Sequence, residues 1–435
     1  MQMTRPMRSG TENADCETIA RRLVFVFPGF EPMPPEAQIA RFRRAAERSA
    51  AVFEAKIAFS NIAAAADANG KTRPPPTSAE ITATLTSSGG NHVVKTDCVF
   101  CVWDDLIATY AAAVLPVRIR RGFAALGTFL INGTFLRYCR TSWRYALFFL
   151  FPIVLTAVII AIGIIIALTL GNLFSGPTTW LAGILIGSTA SIMLFYLANR
   201  RWFLMTAFDD WALARDLCEG TNPRIEERVV EFAETLGNRG STGAPEEIVI
   251  AAHSLGASFA IPALARAFEA GFAPKVPLHV LTVGSSLMKT ALHPKAVEQR
   301  EAVRRLTVDH GLPWTDCQAL TDPINFYNSN PAGSLGIAVD PMPLVVKLRL
   351  KHMVAPATYR RIKRDFFRLH RQFILAIERR CPYSFHLLIL GPAPLEAFRR
   401  HRTINRPPLA PSDGKDLGSS VVPNPKTIPA NEAAR

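Results

Sequence analysis

The segment Glu247-Ile-Val-Ile-Ala-Ala-His253-Ser254-Leu255-Gly256-Ala257 is where this sequence most plainly carries chemistry. A fully apolar run, as in a buried strand, leads into Ala252-His253-Ser254-Leu255-Gly256, and Ser258–Ala270 continues with helical spacing. The pattern is a variant of G-x-S-x-G with Ala252 at the first small position. A serine hydroxyl becomes a useful nucleophile when a tight strand-to-helix turn lifts it above the sheet, next to a base. Small residues on either side keep neighbouring backbone clear of that turn. The helix that follows aims its first N–H groups at the negative charge that develops on the substrate. The chemistry implied is acyl transfer to Ser254.

On these residues the chain resembles the α/β-hydrolase superfamily of lipases and esterases, over roughly Arg21–Leu395 apart from a central apolar insertion. The resemblance implies a serine nucleophile, an acidic orienter and a histidine base, in the chain order Ser, Asp, His. Leu23–Phe27 ends in Pro28-Gly29-Phe30, which looks like the glycine-containing loop after an early strand in that superfamily. Backbone N–H groups near Phe30 and at Leu255 would then form the oxyanion hole, with Gly29 allowing close approach of the backbone. Asp322-Pro323-Ile324 resembles the D-P-[IV] loop of lipase-like hydrolases, so Asp322 is the expected acid, with Asp316 and Asp340 in reserve. For the base, His352 directly follows Val345-Val346-Lys347-Leu348-Arg349-Leu350-Lys351, where a loop after the last core strand belongs, and is the first choice. His370 is the alternative; it lies in an apparent helix that would bury it or turn it toward lipid. His253 reads as a packing residue, and His310 and His386 as poor candidates.

The apolar insertion contains no Asp, Glu, Lys or Arg between Arg144 and Arg200. Ala146–Leu170 and Thr179–Ala198 are each long enough to cross a hydrocarbon core of about 30 Å as a helix. Gly171, Asn172, Gly176 and Pro177 supply a turn between them, and Pro152 stands near the start of the first. Val158–Leu168 has no polar face, unlike a helix of a soluble domain. Arginines flank the pair on both sides and are missing from the turn, so the positive-inside tendency places both flanks, and the catalytic domain, in the cytoplasm. Trp143, Tyr145, Trp180 and Trp202 suit an interfacial belt, and 117–138, which alternates arginines with apolar residues, suits the membrane surface.

The remaining sequence alternates short apolar runs with helical patterns. Strands are expected at Leu23–Phe27, Val93–Trp103, Glu247–Ala252, Leu278–Val283, Asp316–Leu320, Leu344–Leu350 and Phe385–Leu390. Helices are expected at Glu36–Ala58, Asp209–Glu219, Pro223–Leu236, Ser258–Ala270 and Ala357–Arg379, with Lys71–Asn91 as a loop or irregular hairpin. This order predicts an α/β fold with a mainly parallel, hydrolase-type sheet flanked by helices. The expected division is a disordered N-terminus at 1–20, a first half-domain at 21–144 and a two-helix transmembrane hairpin at 145–199. A second half-domain at 200–401 and a disordered tail at 402–435 complete it.

A net charge of +14 over 435 residues fits an anionic phospholipid surface. No nucleic-acid-binding motif accompanies it, and nucleic acid is not expected as a partner. Seven irregularly spaced cysteines do not form a disulfide framework. Cys98 and Cys101 make a CxxC with no second half, so no metal is expected. The N-terminus has no apolar run of the secretory type. The expected activity is hydrolysis of carboxylic esters of lipid-like substrates through an acyl-enzyme, without metal or organic cofactor. A non-catalytic membrane scaffold and a lipid acyltransferase remain open alternatives.

Overall fold

The structure, a computed structural model, describes residues 18–60, 78–88, 92–173, 177–405, 409 and 421–422. Most of the two expected disordered termini and the centre of the turn between the apolar segments lie outside the described residues.

The first half of the chain forms β1 (Arg21–Phe27), α1 (Pro35–Ala51), β2 (Lys56–Phe59), β3 (Ser78–Thr86) and β4 (Val93–Cys101). Helices α2 (Asp104–Ala111), α3 (Leu115–Ile131) and α4 (Thr134–Thr141) lead to the long α5 (Trp143–Leu173) and α6 (Pro177–Trp202). The chain returns through α7 (Leu204–Glu219), α8 (Pro223–Gly240), β5 (Glu247–His253), α9 (Ala257–Glu269) and β6 (Leu278–Val283). Then come α10 (Leu287–Ala291), α11 (Val297–Arg304), β7 (Trp314–Ala319), β8 (Leu344–Leu348), α12 (Pro356–Ile362) and α13 (Phe366–Arg371). Helices α14 (Phe385–Leu390) and α15 (Leu395–His401) and the two-residue β9 (Val421–Val422) end it.

The nine strands among the described residues join one sheet in the order β2-β3-β4-β1-β5-β6-β7-β8-β9. The six from β4 to β8 run parallel, while β2 with β3, β3 with β4, and β8 with β9 pair antiparallel. Strands from both sides of the apolar insertion share the sheet, so 21–144 and 200–401 are one domain and not two. Alternation along the strands fills both faces. Leu23, Phe25 and Phe27 pack with Ile248 and Ile250 on one side, Val24 and Val26 with Val249 and Ala251 on the other. Cys98 and Cys101 fall on opposite faces of β4 and are fully buried, which pushes both thiols well above the usual range.

At the N-terminal ends of β1 and β5 the buried Arg22 donates to Glu247 at 2.7 Å and to the carbonyls of Gly391 and Ala393 at 2.8 and 2.6 Å. This network ties the C-terminal helices to the sheet. Beyond it the structure departs from expectation in several places. Phe385–Leu390 is helix, not strand: Ser384 caps it, and all six side chains are buried. A six-residue apolar run does not distinguish a buried strand from a buried helix by periodicity. The long helix expected at Ala357–Arg379 breaks into α12 and α13, because Asp365 accepts from the Arg368 N–H at 2.9 Å and starts a new helix. Of Lys71–Asn91, expected as a loop or an irregular hairpin, Ser78–Thr86 is β3, paired antiparallel with β2 and β4, while 71–77 and 89–91 lie outside the described residues.

Helices α5 and α6 are long and apolar enough to cross a membrane, with only 17% of each apolar window buried. They pack together closely. A side chain on Gly187 would begin 2.3 Å from the Gly163 carbonyl oxygen, and one on Gly163 would begin 2.7 Å from that of Gly187. Both helices exceed the expected segments. At 31 residues α5 is about 46 Å long, half again the hydrocarbon thickness of about 30 Å. Its first turns are rooted in the domain, where Tyr145, Ala146 and Phe149 are buried. Helix α3 packs on α7 through Ala125, Leu126 and Phe129, and Arg118 pairs with Asp209.

Candidate active site

Because β1 and β5 are parallel neighbours with Phe27 opposite Ala252, the loops at their C-terminal ends meet. Ser254 sits at φ 53°, in the left-handed region, and starts a single 3-10 turn that runs into α9. A non-glycine residue there costs on the order of 1–3 kcal/mol and persists only where its surroundings impose it. The imposition is visible. A Cβ on Gly256 would lie 2.4 Å from the Pro28 oxygen and 2.5 Å from that of Phe27; one on Gly29 would lie 2.9 Å from Ser254 Cβ. Trp103 Nε1–H donates to the Pro28 carbonyl at 3.0 Å and its ring stacks on Phe259 of α9, which fixes the β1 loop against the elbow. Gly29 and Phe30, two of the three residues expected at the oxyanion hole, line the same cavity as Ser254, and the third, Leu255, follows Ser254 in the 3-10 turn. The Ser254 carbonyl accepts from Ser286 N–H at 3.1 Å, and the two hydroxyl oxygens are 3.4 Å apart.

Asp322 follows β7 in a turn held by Asn325, whose side chain donates to the carbonyls of Ala319 and Asp322 and accepts from Ala319 N–H. The Asp322 carboxylate is wholly buried. One oxygen accepts from Ile324 N–H at 2.9 Å; the other lies 2.7 Å from His370 Nδ1. With its proton on Nδ1, His370 donates to the carboxylate and leaves Nε2 as an acceptor. That Nε2 is buried and has no hydrogen-bond partner among the described residues. The ring packs on His253 at 4.8 Å and over Gly284, where a Cβ would come within 3.2 Å of His370 Cε1. Burial pushes the His253 imidazole well below its usual value, and the neighbouring His370 adds to this, so His253 is a neutral ring packed against His370.

The structure thus brings His370, the alternative, and not His352, the first choice, to Asp322. His352 closes a short 3-10 turn after β8, is partly exposed and does not line the cavity that holds Ser254. His370 meets Asp322 because the inner face of α13, with Leu369 beside it and Phe373 in the 3-10 turn that follows, is laid against the sheet. The reserve acids are elsewhere. Asp316 is inside β7, its oxygens bound by Thr282 and Gln318, and burial raises it to about 6. Asp340 is exposed in the loop before β8. His386 is buried against Phe42, and His310 stacks on Phe268.

Ser254 and His370 open onto one cavity of about 240 Å³. Its walls are mainly apolar: Tyr145 and Phe148 from α5, Phe203, Trp211 from α7, Ile324 and Phe367. Sequence reasoning missed its polar floor. Lys289 is buried, donates to the half-buried Asp210 and lies 4.1 Å from the Trp211 ring centroid. Burial lowers its ammonium pKa and the Asp210 carboxylate opposes that shift. Holding a buried ammonium in an otherwise apolar pocket is costly without such a partner. No local signal announces it; Gly284-Ser285-Ser286 after β6 is the only hint that the chain bends here toward Ser254.

Compared with known proteins, the chain matches no family model, no curated protein and no solved structure.

Proposed function

We propose that this chain is a membrane-anchored serine hydrolase of the α/β-hydrolase type that cleaves carboxylic esters of lipid-like substrates. One observation carries the reading: a serine on a left-handed strand-to-helix turn shares a cavity with a buried histidine whose far nitrogen is held by a buried carboxylate. The chain order Ser254, Asp322, His370 and the contact between the β1 loop and the elbow support it.

In the proposed reaction the Ser254 hydroxyl gives its proton to His370 Nε2 as its oxygen bonds to the ester carbonyl carbon. The carbonyl oxygen takes up the negative charge and accepts from the N–H groups of Phe30 and Leu255. Asp322 holds the imidazole in the Nδ1–H tautomer and stabilises it when charged. Collapse breaks the bond to the alcohol, which leaves with the proton from His370 Nε2. Water then adds to the acyl-serine by the same route, releasing a carboxylic acid and restoring the hydroxyl. This sequence needs neither metal nor organic cofactor.

Helices α5 and α6 are proposed to span the bilayer, with the arginine-rich flanks and the catalytic domain on the cytoplasmic side, against anionic phospholipid. A fluorophosphonate probe tests the chemistry. Wild type and His352→Ala should label; Ser254→Ala should not, and His370→Ala should label at least about a hundredfold more slowly. Wild type left unlabelled while other serine hydrolases react, or label retained in Ser254→Ala, overturns the proposal.

A further inference from the structure

Resting on the hydrolase reading, we infer that the roots of α5 and α6 form an acyl-chain portal, through which one chain of a bilayer glycerolipid passes sideways to Ser254. The hairpin is then part of the active site as well as its anchor.

Three observations converge on this. The cavity wall facing away from the sheet comes from the hairpin root itself: Tyr145 and Phe148 in the first turns of α5, and Phe203 immediately after α6. The helix that carries His370 is fastened to the same root. Phe367 meets Phe203 at 5.5 Å and Phe148 at 6.5 Å between ring centroids, and Phe366 meets Phe151 at 6.3 Å. Phe203 is also held at φ 52°, one of five left-handed non-glycine residues among those described, Ser254 being another, and the residue is 44% exposed at the rim. Strain and an exposed aromatic ring are a poor bargain in water and a sensible one where the rim faces acyl chains.

Outward from the rim the helices expose apolar side chains, among them Leu147 and Val154 on α5 and Tyr196 and Leu197 on α6, so the cavity mouth continues into a surface suited to hydrocarbon. Arg144 over Trp143 and Arg201 over Trp202 lie at the depth of the rim, where guanidinium–indole pairs suit the headgroup layer. Arg371, one residue from the base, lines the cavity and offers a cation to a headgroup phosphate. Size argues for one chain. About 240 Å³ is less than pockets that enclose a whole drug-sized ligand, so one chain and its ester enter while the rest of the lipid stays in the bilayer.

The test uses the full chain in phosphatidylcholine nanodiscs. Ser254 is titrated with a bilayer-embedded hexadecyl fluorophosphonate and with a short, water-soluble one. Phe203→Arg, which puts a charge at the rim, should lower the ratio of long-probe to short-probe rates by about tenfold or more. Phe203→Leu should restore the ratio to within about twofold of wild type. An unchanged ratio in Phe203→Arg overturns the portal. A second readout needs no catalysis: Ser254→Ala in nanodiscs containing phosphatidylcholine with a diazirine at the chain end. Photo-crosslinks at Tyr145–Phe148, Phe203 or Phe367 support the portal; crosslinks confined to the outward faces of α5 and α6 overturn it. If wild type reacts with neither fluorophosphonate, the hydrolase reading fails, and the crosslinks still decide whether a chain occupies the cavity.

Discussion

Gly256→Ala isolates the contact on which the proposed oxyanion hole depends. Gly256 has φ −56° and ψ −26°, ordinary helical values, so alanine meets no torsional penalty and any effect is steric. Its Cβ would start 2.4 Å from the Pro28 oxygen and 2.5 Å from the Phe27 oxygen, against an ordinary contact of 3.4 Å or more. Relief needs a displacement of about 1 Å, and both clashing atoms belong to the backbone that leads into Gly29 and Phe30. The side chain cannot rotate away, and Trp103 resists movement of Pro28 through its 3.0 Å hydrogen bond. An oxyanion donor works at 2.7–3.1 Å, so a shift of about 1 Å removes one donor and lowers kcat by about 10²–10³-fold. The overpacking itself costs about 1–3 kcal/mol of stability. Steady-state kinetics on a short soluble ester, with thermal unfolding of the same preparation, measures both. A folded Gly256→Ala enzyme with kcat within about twofold of wild type would refute the reasoning, because the β1 loop would then have no part in binding the oxyanion.

Asp322→Asn keeps the shape of the turn but no longer imposes the Nδ1–H tautomer on His370; kcat should fall by about 10³–10⁴-fold with little change in KM, and an equal loss in Asp316→Asn would show the acid to be misassigned. Arg22→Met leaves Glu247 buried without its main partner and should destabilise the domain by about 3–5 kcal/mol in denaturant titration; a variant as stable as wild type would remove the network from the account of the fold. Burial lowers the His386 imidazole to about 3, so the unfolded chain takes up that proton first, and this contribution, intact above about pH 6.5, is lost as pH falls, costing about 2 kcal/mol at pH 5. His386→Phe, at a ring packed 4.9 Å from Phe42 and with no hydrogen bond at either nitrogen among the described residues, should flatten the decline in denaturation midpoint between pH 7 and 5; an unchanged slope would count against it.

What could be read from the sequence was what local pattern controls. The strand before Ser254, the small residue after it and the helix beyond are adjacent in the chain, and steric demand writes such a turn into consecutive residues. Asp322 was chosen on the resemblance of Asp322-Pro323-Ile324 to a lipase-like loop and on its place past a strand end; the structure puts it there, in a turn that Asn325 closes. His352 was preferred to His370 because burial of a helical histidine was weighed as a structural role. Leu369, His370 and Phe373 share the inner face of their helices, and the same burial that looked structural is what brings Nδ1 to Asp322 across 48 residues of chain. Lys289, Asp210 and Trp211 left no local trace, because their meeting depends on how α7 returns from the hairpin and packs on α10. That return explains why an apolar insertion can lie between β4 and β5 without splitting the sheet. Helix α5 leaves the domain beside Phe326, which stacks on Tyr145 at 3.7 Å just beyond the Asp322 turn, and α6 delivers Phe203 back to the same wall. An anchor required only to hold the protein at a surface could attach anywhere on it; one whose first and last turns wall the Ser254 cavity would, in the proposed enzyme, place the bilayer where the ester must arrive.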